Sequence, residues 1–151
     1  MHIRLDKRME LIYAVLQLSD YINPGLYVNS DDPQAQQVRE MLGDYSHLPA
    51  VKDLTAVWEA EINWDVFSYH ALSIAGDYTF APETNTSYLH QFIKSASSIQ
   101  QFTVWLRDFA GQSNFDRYYS LLEEQYAPYI QKLNTLLDSR PVQAILEDYL
   151  G

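Results

Sequence analysis

The sequence predicts an all-α fold, a single-domain bundle of six to eight helices over residues 1–151. Three observations lead to this prediction. Apolar residues recur at steps of three and four, most clearly at Ile99, Phe102, Leu106 and Phe109, which is the spacing of one helix face. Proline and residues that cap helices stand where the apolar patterns begin. At 151 residues with 47% hydrophobic content, the chain is long enough to bury a core of its own.

Two helices are predicted in the first third of the chain. Asp6 caps the first, which ends before the Asn23-Pro24-Gly25 breaker, and residues 22–31 are predicted to be a loop. A broad apolar face supports this helix: Leu5, Met9, Leu11, Ile12, Val15 and Leu16. Asp32 followed by Pro33 predicts the start of a second helix, about 32–45. This helix would bury Val38, Met41, Leu42 and Tyr45.

The central part of the chain predicts a third and a fourth helix. Pro49 opens the third, whose apolar side carries Val51, Leu54, Val57 and Trp58. Asn63 would cap the fourth, a buried central helix around residues 63–75 that ends at Gly76. Alternation of Ile62, Trp64 and Val66 would also fit a short strand, but the apolar run exceeds ten residues, and that length favours a helix. A helix that is apolar on nearly every side is typical of a buried position.

The last part of the chain predicts a loop over 76–87, a short helix over 86–95 and three further helices. Ser97 or Ser98 would cap a helix that ends near Gly111, and Ser113-Asn114 would cap the longest one. That longest helix has one continuous stripe: Phe115, Tyr118, Leu122, Tyr126, Tyr129, Leu133 and Leu136. Pro128 predicts a kink or a junction of two helices, with both halves facing the same core. Arg140-Pro141 would begin a final helix with its apolar side inward: Val142, Ile145, Leu146 and Tyr149.

Composition and charge exclude several classes of function. The net charge of −10 opposes binding to nucleic acid and docking on anionic lipid, because both need clustered Lys and Arg. The absence of cysteine excludes disulfides, catalytic thiols and thiolate metal sites. We expect no membrane span, since no run approaches 18 uninterrupted apolar residues. Residues 1–20 lack the pattern of a signal peptide, and the cellular compartment stays open.

Motifs for metal binding or catalysis are also missing from the sequence. The histidines at 2, 47, 70 and 90 have no pairing at i, i+4, so neither a metal site nor a cofactor site is predicted. The neighbouring carboxylates Glu59 and Glu61, and Glu123 and Glu124, are interpreted as solvated helix faces. The chain has no HExxH and no GxSxG motif, and we predict no catalytic residue.

Four polar residues remain as candidates for a site. His70 lies in the most apolar helix, so its ring would either bond to a carbonyl or carboxylate, or take part in a polar site completed by another segment. Asp65 is placed to stabilise the N-terminus of that helix. Arg8 and Glu10 point to different sides of the first helix, and each should pair across the bundle or stay solvated.

The ordered segments resemble the N-terminal helical region of a bacterial family of uncharacterised proteins, whose longer members carry a metallopeptidase-like HExxH domain downstream. The resemblance covers most of residues 4–150. Its motifs are Arg8-Met9-Glu10-Leu11, Tyr45-Ser46-His47-Leu48-Pro49-Ala50-Val51, Ile62-Asn63-Trp64-Asp65, Leu106-Arg107-Asp108-Phe109 and Ser113-Asn114-Phe115. The family's zinc ligands and catalytic glutamate have no counterpart here, so the resemblance implies zinc only in a longer parent protein. It also implies that the chain is the N-terminal part of such a protein, and that export from the cytoplasm is compatible with the family.

Two functions are therefore expected. The first is a non-catalytic accessory or scaffold domain that packs against a downstream peptidase-like domain or a protein partner, through a helical face that is apolar and exposed in this chain. The second is a free-standing binding module for a peptide, a glycan or a partner protein, with Tyr78 and Tyr88 supplying contacts. A hydrolase acting alone is a third hypothesis.

Overall fold

The structure, a computed structural model, describes residues 2–19, 32–58, 64–76 and 88–139. Within these ranges the predicted all-α fold is confirmed: the residues form seven α-helices, two short 3₁₀ turns and no strand. The helices are α1 (Lys7–Leu18), α2 (Pro33–Leu42), α3 (Pro49–Lys52), α4 (Leu54–Val57), α5 (Trp64–Ser73), α6 (Ala96–Gln112) and α7 (Phe115–Ser139). The 3₁₀ turns cover Gly43–Tyr45 and Leu89–Gln91.

Helix α1 lies at the centre of the bundle and contacts α2, α3, α5, α6 and α7. Its buried face carries Leu11, Ile12, Ala14, Val15 and Leu16. Asp6 caps its N-terminus as predicted, because the side-chain oxygen accepts a hydrogen bond from the N–H of Arg8. Burial of the four large aliphatic side chains of α1 stabilises the fold by about 1.5–3 kcal/mol each.

The second and third predicted helices are shorter than the pattern suggested. Asp32 caps α2 and Pro33 occupies its first turn, as predicted, but α2 stops at Leu42 and a 3₁₀ turn follows. The predicted third helix is divided at Asp53, whose backbone angles of φ −103° and ψ 18° are not helical. The apolar side chains expected on it are nonetheless buried: Val51, Leu54, Val57 and Trp58.

Helix α5 contributes the buried face predicted for the segment around residues 63–75. Val66, Phe67, His70 and Ala71 are enclosed. The opposite side is not apolar throughout or fully covered, because Asp65 is exposed and Leu72 keeps 63% of its surface in solvent. The core position of α5 therefore comes from one face, which packs against α1.

Helix α6 has the predicted apolar face, with Ile99, Phe102, Leu106 and Phe109 all buried. Its start differs from the prediction: Ser95, rather than Ser97 or Ser98, occupies the N-cap position. The hydroxyl of Ser95 lies 3.0 Å from that of Ser97 and 2.9 Å from that of Ser98, so Ser95 hydrogen-bonds to both. The short helix predicted over 86–95 is a 3₁₀ turn where it is described.

Helix α7 is a single helix of 25 residues that continues through Pro128, so the predicted junction of two helices is wrong. Its first half packs on the core through Phe115, Tyr118 and Leu122. Its second half exposes the continuation of the same stripe, which contradicts the prediction that both halves face one core. Periodicity identified the apolar face of α7 correctly, but the described core ends before the helix does.

Several predictions lie outside the described residues. They concern the loop over 22–31, the cap at Asn63, most of the loop over 76–87 with Tyr78, and the final helix from Arg140. Among the helices that the structure does describe, none combines the length and apolar character needed to cross a membrane.

Candidate functional site

Arg8 is held in a structural contact at the start of α1. Its guanidinium makes a bidentate contact with the Asp6 carboxylate, with Nε 2.9 Å from Oδ1 and Nη2 2.5 Å from Oδ2. Nη1 donates a further hydrogen bond of 2.7 Å to the main-chain oxygen of Ile74, just after α5. The hydrogen bonds from Arg8 hold the pKa of Asp6 below its ordinary value. Arg8 thus joins the N-terminus of α1 to the C-terminal end of α5.

Glu10 belongs to a polar network between α1, α2 and α7. Its Oε2 accepts a hydrogen bond of 2.8 Å from Nε2 of Gln34, and the same nitrogen lies 3.4 Å from the hydroxyl of Tyr118. Nearby, the hydroxyl of Tyr13 donates to Oδ2 of Asp32 at 2.8 Å. Asp32 also caps α2, because its Oδ1 accepts a hydrogen bond from the N–H of Gln34. The network ties three helices together through side chains that are largely removed from solvent.

Burial governs the protonation of this network. Desolvation raises the pKa of Glu10, although the bond from Gln34 acts in the opposite direction. Desolvation also raises the pKa of both Tyr13 and Tyr118 above the ordinary value of tyrosine, and the nearby carboxylates add to this effect. Both phenols are therefore neutral hydrogen-bonding groups at physiological pH, and neither is poised as a base.

His70 is completely buried in an aromatic part of the core. Its ring stands edge to face against Trp58, with centroids 5.6 Å apart, and lies tilted 5.3 Å from the ring of Phe102. The Nε2 atom is 3.4 Å from Oγ1 of Thr103. Because that hydroxyl donates its own proton to the carbonyl of Ile99, it accepts from Nε2–H. Burial lowers the pKa of His70 to about 3, so the ring is neutral.

The four polar candidates do not converge on one site. Arg8 meets the C-terminal end of α5, whereas Asp65 lies exposed in the first turn of that helix. Glu10 bonds to α2, and His70 faces the aromatic core. In the part of the chain that the structure describes, no group of three or more His, Asp or Glu residues is arranged to hold a metal ion. The contacts of Arg8 and Glu10 join helices, and those of His70 lie within the core.

The strongest candidate is the surface of α7 that we call the α7 stripe. It consists of Tyr126, Tyr129, Leu133 and Leu136, which expose 36%, 66%, 44% and 54% of their surfaces. The spacing of three, four and three residues aligns them on one side of the helix, in register with the buried Leu122 one turn earlier. The rings of Tyr126 and Tyr129 contact each other with centroids 6.4 Å apart. Large apolar side chains aligned in this way form a surface suited to docking.

Charged residues on the second half of α7 are mainly acidic. The carboxylates Glu123, Glu124 and Asp138 are exposed outside the α7 stripe, and Lys132 is exposed between them along the chain. This distribution gives the second half of α7 a negative potential, in keeping with the net charge of the chain.

A second feature of α7 is an open groove of about 920 Å³ along another side of the helix. The N-terminal segment, residues 2–6, forms one wall and is tied to α7 by side chains. The amide of Asn134 makes two bonds to the backbone of Ile3: Ile3 N–H donates to Oδ1 at 2.7 Å, and Nδ2 donates to the Ile3 oxygen at 3.0 Å. The hydroxyl of Tyr119 donates to the main-chain oxygen of Leu5 at 3.2 Å. The desolvation of Tyr119 raises its pKa to about 12.

Some of these residues escaped the sequence reasoning. Tyr13, Gln34, Tyr118 and Asn134 carry no local motif, and their partners lie 19 to 131 positions away along the chain. Only the residue type of Asn134 could have indicated a tertiary contact. Asparagine is unfavourable inside a helix, so its presence there suggests that its amide forms hydrogen bonds.

Comparisons of the chain with protein-family models, with curated proteins and with solved structures found no match.

Proposed function

We propose that this chain is a non-catalytic helical accessory domain that docks on a peptidase-like domain through the α7 stripe. The observation that carries the proposal is the contrast between two leucines on one face of one helix. Leu122 is 1% exposed and Leu133 is 44% exposed, although the apolar pattern joining them is unbroken.

Covering the α7 stripe would contribute favourable free energy to association, since its four side chains keep 36% to 66% of their surfaces in solvent. Complete burial of a side chain of this size stabilises a complex by about 1.5–3 kcal/mol before the costs of association. The steps of three and four residues are those of a helix that packs into a groove or against another helix. We therefore propose a partner surface built from helices or shaped as an apolar groove.

The charge of the chain favours a different protein over a second copy of this chain as the partner. The net charge is −10, and α7 also exposes the carboxylates Glu123, Glu124 and Asp138 outside the α7 stripe. Because two copies of such a chain would repel each other, we propose a partner whose apolar surface is bordered by Lys and Arg.

The identity of the partner as a peptidase-like domain rests on the family resemblance carried by segments such as Leu106-Arg107-Asp108-Phe109. In this proposal any zinc and the catalytic glutamate belong to the partner domain, in the same polypeptide or in another one. The helical domain would hold that domain in place or form one wall of its substrate cleft.

The proposal is tested by the size of the native complex in cells that produce the protein. We expect the unaltered chain to migrate with a protein or domain that contains HExxH, and Leu133→Glu to migrate without it. Gln101→Glu, which adds the same charge on an exposed position of α6, should leave the complex intact. Migration as a self-assembled oligomer, or a complex that survives Leu133→Glu, would contradict the proposal.

An aromatic surface supports the second candidate, a free-standing binding module. Tyr88 is 39% exposed, and its ring stands edge to face against Tyr69 and Phe92 with centroids 5.1 and 5.2 Å apart. The exposed Leu72 lies one turn after Tyr69 on α5. Exposed rings of this kind bind sugar rings or apolar peptide side chains. Binding of a soluble oligosaccharide or peptide that Tyr88→Ala abolishes, and that Leu133→Glu leaves unchanged, would favour this candidate.

A further inference from the structure

We propose that Glu10 is a proton-binding site that controls how firmly α2 is docked on α1. The neutral carboxyl holds α2 in place, and ionisation of Glu10 makes α2 open more often. This proposal concerns the contact between α1, α2 and α7, and it does not depend on the docking partner proposed above.

Two carboxylates meet at one residue of α2. Gln34 donates from its side-chain Nε2 to Oε2 of Glu10 at 2.8 Å, and from its main-chain N–H to Oδ1 of Asp32 at 3.2 Å. The hydroxyl of Tyr13 donates to the other oxygen of Asp32, and the hydroxyl of Tyr118 lies 3.4 Å from Nε2 of Gln34. The docking of α2 therefore brings Gln34 onto the Glu10 carboxyl.

The contacts distinguish the two carboxylates. Asp32 accepts hydrogen bonds from two donors and caps the N-terminus of α2, where the helix dipole stabilises a negative charge. Glu10 accepts a hydrogen bond from the amide of Gln34, which carries no charge. None of the ion pairs in the described part of the chain includes either carboxylate. Asp32 is therefore the carboxylate suited to remain ionised, and Glu10 is the one suited to bind a proton.

The environment of Glu10 opposes its ionisation on balance. Burial of the carboxyl raises its pKa, and the negative charge of Asp6 adds to this effect. The hydrogen bond from Gln34 acts in the opposite direction, as does the position of Glu10 in the first turn of α1. The net result is a pKa above the ordinary value of a glutamate.

The cations on α1, on α2 and on the first half of α7 are engaged elsewhere or exposed. Arg8 binds Asp6 and the main-chain oxygen of Ile74, and Lys7 pairs with a carboxylate of α7. Arg39 and Arg117 are exposed. The charged residues of α3, α5 and α6 are exposed as well: Lys52, Asp65, Arg107 and Asp108. The groups that act on Glu10 or share its network are acids: Asp6, Tyr13, Asp32, Tyr118 and Tyr119.

Ionisation of Glu10 adds a second negative charge to a network that already holds the Asp32 carboxylate. Water solvates this charge better, and it reaches Glu10 when Gln34 moves away with α2. Because the folded-state pKa of Glu10 lies above 4.5, its stabilisation of docked α2 is present below pH 4.5 and is lost as the pH rises through that pKa. Burial of Ala35, Val38 and Leu42 keeps α2 attached, so ionisation changes how often α2 opens.

Hydrogen exchange of backbone amides in the full chain tests the proposal. Rates are measured at about pH 4.5 and about pH 7 and corrected for the intrinsic rate at each pH. We expect the α2 amides of Val38 and Leu42 to be less protected than the α6 amide of Phe102, and to lose about tenfold in protection as the pH rises. In Glu10→Gln, whose side chain stays neutral, this loss should disappear. Opening of α2 leaves His70 in its contacts with Trp58 and Phe102, so its titration does not contribute.

Two further measurements complete the test. Glu40→Gln removes the same charge from an exposed position of α2 and should keep the pH dependence of the unaltered chain. The NMR shift of the Glu10 carboxyl carbon in the unaltered chain gives the pKa directly, whatever the effect of the variants on folding. A pKa at or below the ordinary value, the same pH dependence in Glu10→Gln as in the unaltered chain, or equal protection of α2 and α6 amides at both pH values would overturn the proposal.

Discussion

Arg8 donates a hydrogen bond of 2.7 Å from Nη1 to the main-chain oxygen of Ile74, 66 positions further along the chain. The same guanidinium makes two hydrogen bonds to the Asp6 carboxylate, so it connects the start of α1 to the end of α5. Arg8 was a polar candidate for function, and its contacts are those of a structural clamp. These contacts also position the N-terminal segment, which includes Asp6 and lines the groove.

Replacement of Arg8 by lysine should reduce stability. Lysine keeps the charge but cannot form both the bidentate contact with Asp6 and the hydrogen bond to Ile74. We expect a loss of about 1–3 kcal/mol in the free energy of unfolding, measured by urea denaturation. Lys7→Met is the matched control, since the Lys7–Asp116 ion pair is 39% and 80% exposed and such pairs contribute less than about 1 kcal/mol. Equal losses for the two variants would contradict the role given to Arg8.

His70 should make the fold sensitive to mild acid. The folded-state pKa of His70 is lowered to about 3 from 6.5, so the unfolded chain binds a proton first as the pH falls. Its contribution to stability is present above pH 6.5 and is lost progressively towards pH 3. Between pH 7 and pH 5 this loss amounts to about 2 kcal/mol, at 1.36 kcal/mol for each pH unit below 6.5.

The variant His70→Leu should flatten this pH dependence, whatever its effect on stability at pH 7. His47→Gln, at an exposed position, should retain the slope of the unaltered chain. Burial raises the pKa of Glu10, which acts in the opposite sense: its contribution is present at low pH and is lost as the pH rises through its folded-state pKa. Both variants keep Glu10, so this effect cancels. An unchanged slope in His70→Leu would show that His70 is not the titrating group.

The two tyrosines of the polar network should differ in their contribution to stability. Tyr13→Phe removes a bond of 2.8 Å to the Asp32 carboxylate and should cost about 1.5–3 kcal/mol, as expected for a bond to a charged group. Tyr118→Phe removes a longer contact of 3.4 Å with Gln34 and should cost less than about 1 kcal/mol. Denaturation of the two variants under one condition gives the comparison, and the reverse order would refute this description of the network.

The two halves of α7 should respond differently to the same substitution. Leu122→Ala opens a space in the core and should cost about 2–5 kcal/mol, whereas Leu133→Ala should change the free energy of unfolding by less than about 0.5 kcal/mol. If Leu133→Ala destabilised the isolated chain as much as Leu122→Ala does, Leu133 would belong to the core and the α7 stripe would not be a free surface.

The sequence predicted those parts of the fold that local chemistry controls. The caps at Asp6 and Asp32 are confirmed. They were predictable because each aspartate accepts a hydrogen bond from the N–H two residues further along the chain, and this bond needs no contact with another helix. Periodicity identified the buried face of α6 for the same reason. It could not show that α7 extends beyond the described core, because an apolar stripe at Tyr129 or Leu133 has the same pattern whether it is covered or not.

The polar contacts were beyond sequence reasoning for a different reason. Glu10 meets Gln34 and Asn134 meets Ile3 only after α1, α2 and α7 have packed, and their separations of 24 and 131 residues have no local signature. The ring contacts of His70 depend likewise on Trp58 and Phe102 from two other segments.

Site-specific photocrosslinking tests the central claim most directly. A photoreactive amino acid is placed at Leu133 on the α7 stripe or, as a control, at the exposed Gln101 on α6, in cells that produce the protein. We predict that Leu133, and not Gln101, crosslinks to an apolar surface bordered by Lys and Arg on a domain that contains HExxH. Crosslinking of Leu133 only to a second copy of this chain, or equally from both positions, would contradict the account.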